Sequence, residues 1–260
     1  MMASGGNGGS ELTFTANDDL GNGMKATGSV TIINNPFATS DSGTSAATGY
    51  TTSTTTINAL RTYNSFVGLS GEFGSLKLGS QFSPAFSAAN VADPFGQAGG
   101  TFNLAKAGGH TYGSYNYASP SFSGVTLSYQ GTADNNYSGY GVTYAAGAFT
   151  AAIAADTATV SGKDTTTTVV AASYDLGVAK LSAGSTTATG ATKPATILGV
   201  QAPVGPVVVV YSASAQSGAS NNQNLGIVYP LSKKTNLTWV NYNGGTTTTR
   251  GNFIGMRTTF

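Results

Sequence analysis

The 260-residue chain has no cysteine. That excludes disulfides, thiolate metal sites, covalent haem attachment and cysteine nucleophiles. Charge is almost as scarce: Asp, Glu, Lys and Arg make up 8% of the residues, against about 25% in an ordinary soluble domain. The net charge is +1, and Lys233-Lys234 is the only adjacent basic pair. A solvated turn accounts for that pair, and no basic patch suggests a nucleic-acid partner. His110 is the only histidine, so the chain has neither a histidine metal cluster nor a second histidine for proton relay. The ten acids include no pair spaced for general acid–base work, and Asp18-Asp19 reads as a turn. No glycine motif for phosphate is present. These absences argue against an enzyme, and no cofactor or metal is expected. No run of about 18 apolar residues exists, so no transmembrane helix is expected. Met1-Met2-Ala3-Ser4-Gly5-Gly6 lacks the basic and apolar regions of a signal peptide. For an exported protein the expectation is therefore a mature or truncated form.

Glycine, by contrast, is abundant at 36 residues, and Thr and Ser recur throughout. Gly, Thr, Val and Tyr favour strand over helix. Hydrophobic content is 40% and mean hydropathy is -0.02, as expected where alternate residues face opposite environments. Fifteen segments have strand composition. They are Glu11–Asn17, Met24–Asn34, Leu60–Gly71, Ser75–Gln81, His110–Ala118, Val125–Ala133, Ser138–Ala145 and Phe149–Ala155, then Thr166–Tyr174, Ala179–Ser185, Lys193–Ala202, Val207–Ser214, Asn222–Leu231, Thr235–Tyr242 and Arg250–Phe260. Asn22-Gly23 is a strong hairpin signal. Phe82–Gly109 is the longest irregular stretch. Tight turns alternate with longer polar loops, so one end of the structure is trimmed and the other elaborated. The last segment has a period of two and is about as long as a tilted membrane strand of ~9–11 residues. Most aromatics fall near strand ends, as in interfacial girdles. A soluble Thr/Gly-rich sandwich or adhesin is the rival that this alternation opposes.

Six blocks carry a family resemblance. They are Asp18-Asp19-Leu20-Gly21-Asn22-Gly23-Met24-Lys25-Ala26, then Asn64 to Gly71 with Phe73-Gly74-Ser75-Leu76-Lys77-Leu78-Gly79, then Ala92-Asp93-Pro94-Phe95-Gly96. Tyr117 to Gly124, Tyr229 to Leu237, and Gly255-Met256-Arg257 with terminal Phe260 follow. In this order they resemble the trimeric, 16-stranded general-diffusion porins of Gram-negative outer membranes, in the beta-proteobacterial branch. The resemblance implies an all-β fold: one transmembrane antiparallel β-barrel over residues 1–260, with an inward-folded third loop at Phe82–Gly109. With fifteen strands legible, the family's first strand is missing here or lies upstream. Leu69, Leu76 and Leu78 are expected under the inward loop. The implied function is a water-filled channel for passive diffusion of ions and small hydrophilic solutes. The implied partners are the lipid bilayer, lipopolysaccharide and two further copies in a homotrimer. The alternative is a structural or scaffold barrel of the envelope with a narrowed or plugged lumen.

The resemblance also implies which residues line the constriction. Asp93 and Lys106 lie on the inward loop. The family's arginine ladder on the opposite wall falls on Tyr63, Ser80 and Asn116, all uncharged here. Arg61, two residues from Tyr63, and His110 are the remaining wall candidates. Asp93 has a second reading as a loop cap ahead of Pro94. With so little charge, selectivity is expected to be weak.

Overall fold

The computed structural model describes residues 10–34, 61–96, 109–215, 221–243 and 250–258. The described strands are β1 (Ser10–Gly21), β2 (Met24–Asn34), β3 (Arg61–Gly71), β4 (Gly74–Phe82), β5 (His110–Ala118), β6 (Val125–Thr132), β7 (Tyr137–Ala146) and β8 (Phe149–Val160). They continue as β9 (Lys163–Asp175), β10 (Lys180–Ala188), β11 (Ala195–Val204), β12 (Val207–Ala215), β13 (Asn222–Pro230), β14 (Thr235–Asn243) and β15 (Arg250–Thr258). Each pairs with its sequence neighbours, giving one 15-stranded sheet in simple order from β1 to β15. No described helix is long and apolar enough to cross a membrane.

Turn chemistry sets the register. At the β1–β2 hairpin Asn22 and Gly23 have φ of 51° and 72°, the two positive values that a hairpin turn matching strand twist requires. The same geometry recurs at Ser161 (51°) and Gly162 (74°). There the structure departs from expectation. The segment read as a polar loop between Ala155 and Thr166 is strand on both sides, because its Thr and Val residues pair across as Thr157↔Thr166 and Val160↔Lys163.

The two faces of the sheet differ in chemistry. One cross-strand row runs Ala26, Leu69, Leu76, Tyr117, Tyr129, Tyr140 and Ala155. The adjacent row, on the opposite face, runs Asn17, Thr27, Gly68, Lys77, Asn116, Gln130, Gly139, Asp156 and Thr167. Large apolar residues of the first face are exposed: Val67 is 61% exposed, Leu198 64% and Ile254 76%. Buried residues of the second face include Thr31, Gln130, Ser173, Ser212, Asn224 and Thr238. Apolar outside and polar inside inverts the arrangement of a water-soluble domain and is that of a strand wall in lipid.

Among the described residues one helix interrupts the strands. α1 (Pro84–Asn90) lies inside the stretch expected to be irregular. Ser83 caps it, its Oγ accepting the Phe86 N–H at 3.0 Å, and Pro84 occupies the first helical turn, where no N–H is needed. Ala85, Ala88, Ala89 and Ala92 are buried against Ala152, Ala154, Val169, Ala171 and Ile197 of β8, β9 and β11. The helix therefore packs on the inner face, over an apolar patch of β8, β9 and β11 and away from β3. This corrects the expected position of Leu69, Leu76 and Leu78, which are 38%, 41% and 50% exposed. They lie on the outer face, because their alternation partners Gly68 and Lys77 take the inner one.

Candidate functional site

Residues 83–96 form a strap across the inner face. Its base is closed by the Ser83 N–H, which donates to the Gly109 carbonyl at 2.9 Å. At the helix start the Ala85 N–H donates to Asp156 Oδ1 at 3.1 Å. Asp156 is buried beneath the helix, so this bond joins a carboxylate on β8 to the amide-rich end of α1. Further along, Ser182 Oγ donates to the Ala92 carbonyl at 3.0 Å, and Gln201 Nε2 donates to the Pro94 carbonyl. Asp93 Oδ1 accepts the Phe95 N–H at 2.9 Å, which folds the strap back at Pro94.

The wall beneath the strap is notched. A Cβ at Gly139 would lie 2.9 Å from Pro84 Cδ, one at Gly199 would lie 2.6 Å from Pro94 Cγ, and one at Gly226 would lie 2.5 Å from Phe95 Cε1. The strap is thus fastened at β7, β8, β10, β11 and β13 by a combination of hydrogen bonds and ring-in-notch contacts.

The residues singled out from the sequence take separate places. Asp93 makes the turn just described. His110 sits at the base of the strap, its ring 4.2 Å from that of Phe82, which stacks on Phe86 at 4.6 Å. Asn116 lies in the inner row between Lys77 and Gln130. Ser80 is registered with Ser65, just after Gly79 (φ 141°) and beside a register shift. Arg61 opens β3 opposite Ile33, and a second register shift falls between Thr62 and Ser65, in the stretch that holds Tyr63. Lys106 lies outside the described residues.

Two residues of this face escaped the sequence reading. Asp156 looked like a loop residue because strand β8 was ended too early. Lys77 was legible in principle: in Leu76-Lys77-Leu78 the alternation alone sends the lysine inward. Other charges on the inner face come in cross-strand pairs near the trimmed end, Asp19 with Lys25 and Asp175 with Lys180. Lys163 lies at the opposite rim, beside the Ser161-Gly162 turn. Arg257 is close to the described end of β15. In the β6–β7 loop, Asp134 accepts bonds from Thr132 Oγ1 at 2.6 Å, Asn136 N at 3.1 Å and Asn136 Nδ2 at 2.9 Å. The Thr132 hydroxyl first, then the Asn136 donors, hold its carboxyl below the usual value. Among the described residues no cluster of His, Asp and Glu is arranged to hold a metal.

The comparisons agree with this architecture. A family model described as Gram-negative porin matches residues 2–252. Among solved structures, the anion-selective porin from Comamonas acidovorans is similar at TM-score 0.73 and 23% identity, covering 99% of this chain and 91% of that one. A variant of the Rhodopseudomonas blastica porin is similar at TM-score 0.73 and 11% identity, covering 96% and 89%. A loop-deleted form of OmpT, an outer membrane protein of Vibrio cholerae, is similar at TM-score 0.64 and 15% identity, covering 97% and 91%. No curated protein matches the chain. The single antiparallel sheet, its inverted faces and the family match converge, and the chain belongs to the Gram-negative porin family, an outer-membrane β-barrel channel for passive diffusion.

Proposed function

We propose that residues 82–109 constrict this channel and that passage is governed by width, with a mild preference for anions. The observation that carries this reading is the strap of residues 83–96, fixed against the inner wall at five strands. A fixed strap narrows a lumen without closing it. The wall facing it is lined by amides and hydroxyls: Thr13 with Thr31 at 2.9 Å, Thr27 with Asn17 at 3.0 Å, and Asn116. Asp93 is engaged by its own turn. Lys106, Arg61, His110, Tyr63, Ser80 and Asn116 complete the proposed surround of the narrow zone. The preference for anions rests on the inner-face lysines with no acid as cross-strand neighbour, Lys77 beside Gly68 and Asn116 and Lys163 beside Val160. The similar Comamonas protein is itself described as anion-selective.

The solutes are inorganic ions and small hydrophilic molecules, and no reaction is assigned to the site. The apolar outer face contacts lipid, with lipopolysaccharide around the elaborated end. We further propose a homotrimer. Planar-bilayer recording of detergent-purified protein tests the reading, with openings in threes as the expected result. Folded, inserted protein that conducts nothing would instead favour a scaffold barrel with a plugged lumen.

A further inference from the structure

The ladder positions Tyr63, Ser80 and Asn116 carry no charge, yet a cation stands directly beside one of them. Lys77 is the cross-strand neighbour of Asn116 on the inner face, with Cβ atoms at the ~4.5–5.5 Å of such pairs. Its flanking residues Leu76 and Leu78 point outward, so the lysine has no route to the lipid side. Its stem crosses Gly68, where a Cβ would sit 3.1 Å from Lys77 Cγ. Its ammonium rests 4.6 Å from the centroid of the Phe66 ring. Phe66 shares the inner face two residues before Gly68. The glycine makes room for the stem, and the ring holds the head.

A long flexible lysine ordinarily swings toward bulk water. Here the ring keeps the charge at one place on the wall. Attraction to a ring fixes an ammonium without neutralising it, and its N–H donors stay available. No acid is its cross-strand neighbour, for those places are taken by Gly68 and Asn116. Asp19 and Asp175 each face their own lysine, and Asp156 and Asp93 lie at the strap, against β8 and at Pro94. Lys25 and Lys180 stand beside those acids, and Lys163 and Arg257 near strand ends, where solvent screens them.

We propose that Lys77, held on Phe66, is the residue that sets anion preference in this channel, acting as a transient resting place for chloride and small carboxylates. The assignment rests on the channel reading above.

Reversal potential under a salt gradient tests it. Wild type is expected to reverse on the anion side. Lys77→Gln should lower the anion-over-cation permeability ratio by up to about thirtyfold: one unit charge met at about 4 Å through water gives a Boltzmann factor of about five for the anion and again, in the opposite sense, for the cation. Lys77→Glu should carry the reversal to the cation side. Phe66→Leu keeps the charge but frees the head, and should lose part of the preference. Lys233→Gln, in the turn between β13 and β14, serves as the control and should change little. An open, folded Lys77→Gln channel with the wild-type reversal potential would overturn the assignment, as would equal effects from Lys233→Gln. Folded, inserted wild type that passes no current would refute the channel reading itself, and the assignment with it.

Discussion

Single residues decide whether the strap stays on the wall. Asp156 is the clearest case, since its carboxylate holds the first turn of α1 from below. A hydrogen bond to a charged group contributes about 1.5–3 kcal/mol. Asp156→Ala removes that bond and orphans the Ala85 amide, so the variant should show noisier single-channel current at nearly unchanged barrel stability. Asp156→Asn keeps an acceptor oxygen and should be quieter than Asp156→Ala; equal noise from both would refute the hydrogen-bond account. Gly199 acts by absence. Its Cβ position is 2.4 Å from Ser182 Oγ and 2.6 Å from Pro94 Cγ, so Gly199→Leu must push the strap off the wall and into the passage. Overpacking of this kind costs about 1–3 kcal/mol, and the expected readout is reduced conductance from a channel that still assembles.

At the scale of elements, the β6–β7 loop offers a pH test. Asp134 titrates below the ordinary carboxylate range because it is bonded in its charged form. A depressed folded-state value means that its contribution to loop order is full at neutral pH and is lost as the pH falls through that value. Amide exchange in residues 132–136, corrected for its intrinsic pH dependence, should therefore speed up in acid, and Asp134→Asn should flatten that response. Strand identity was legible throughout because a period of two survives in a short sequence window. Elements that depend on distant partners were not. α1 is a helix of seven residues whose alanines suit it only because β8 and β9 offer alanines in return. β8 runs past Ala155 to Val160, and the role of Asp156 within it is set by an amide 71 positions earlier. Lys77 differs: its alternation is plain in the sequence, but the family's ladder position falls on its cross-strand neighbour Asn116.

For the whole molecule, the inverted surface dictates behaviour. An exterior bearing Phe14, Leu78, Leu198, Ile254 and Met256 needs detergent or lipid, and a strand wall paired along its length resists unfolding in mild detergent. Unheated protein should therefore migrate anomalously on a denaturing gel and shift on boiling. Protein that runs identically in both states, and dissolves without detergent, would contradict the membrane-wall reading. The notches at Gly139, Gly199 and Gly226 also carry a geometric corollary. They seat the strap along β7 to β13, and so along one side of the ring. Width is then taken from one arc of the wall, and a side chain added to a glycine in that arc shifts the strap, whereas one added at Gly68, which meets only Lys77, Leu76 and Phe66, does not.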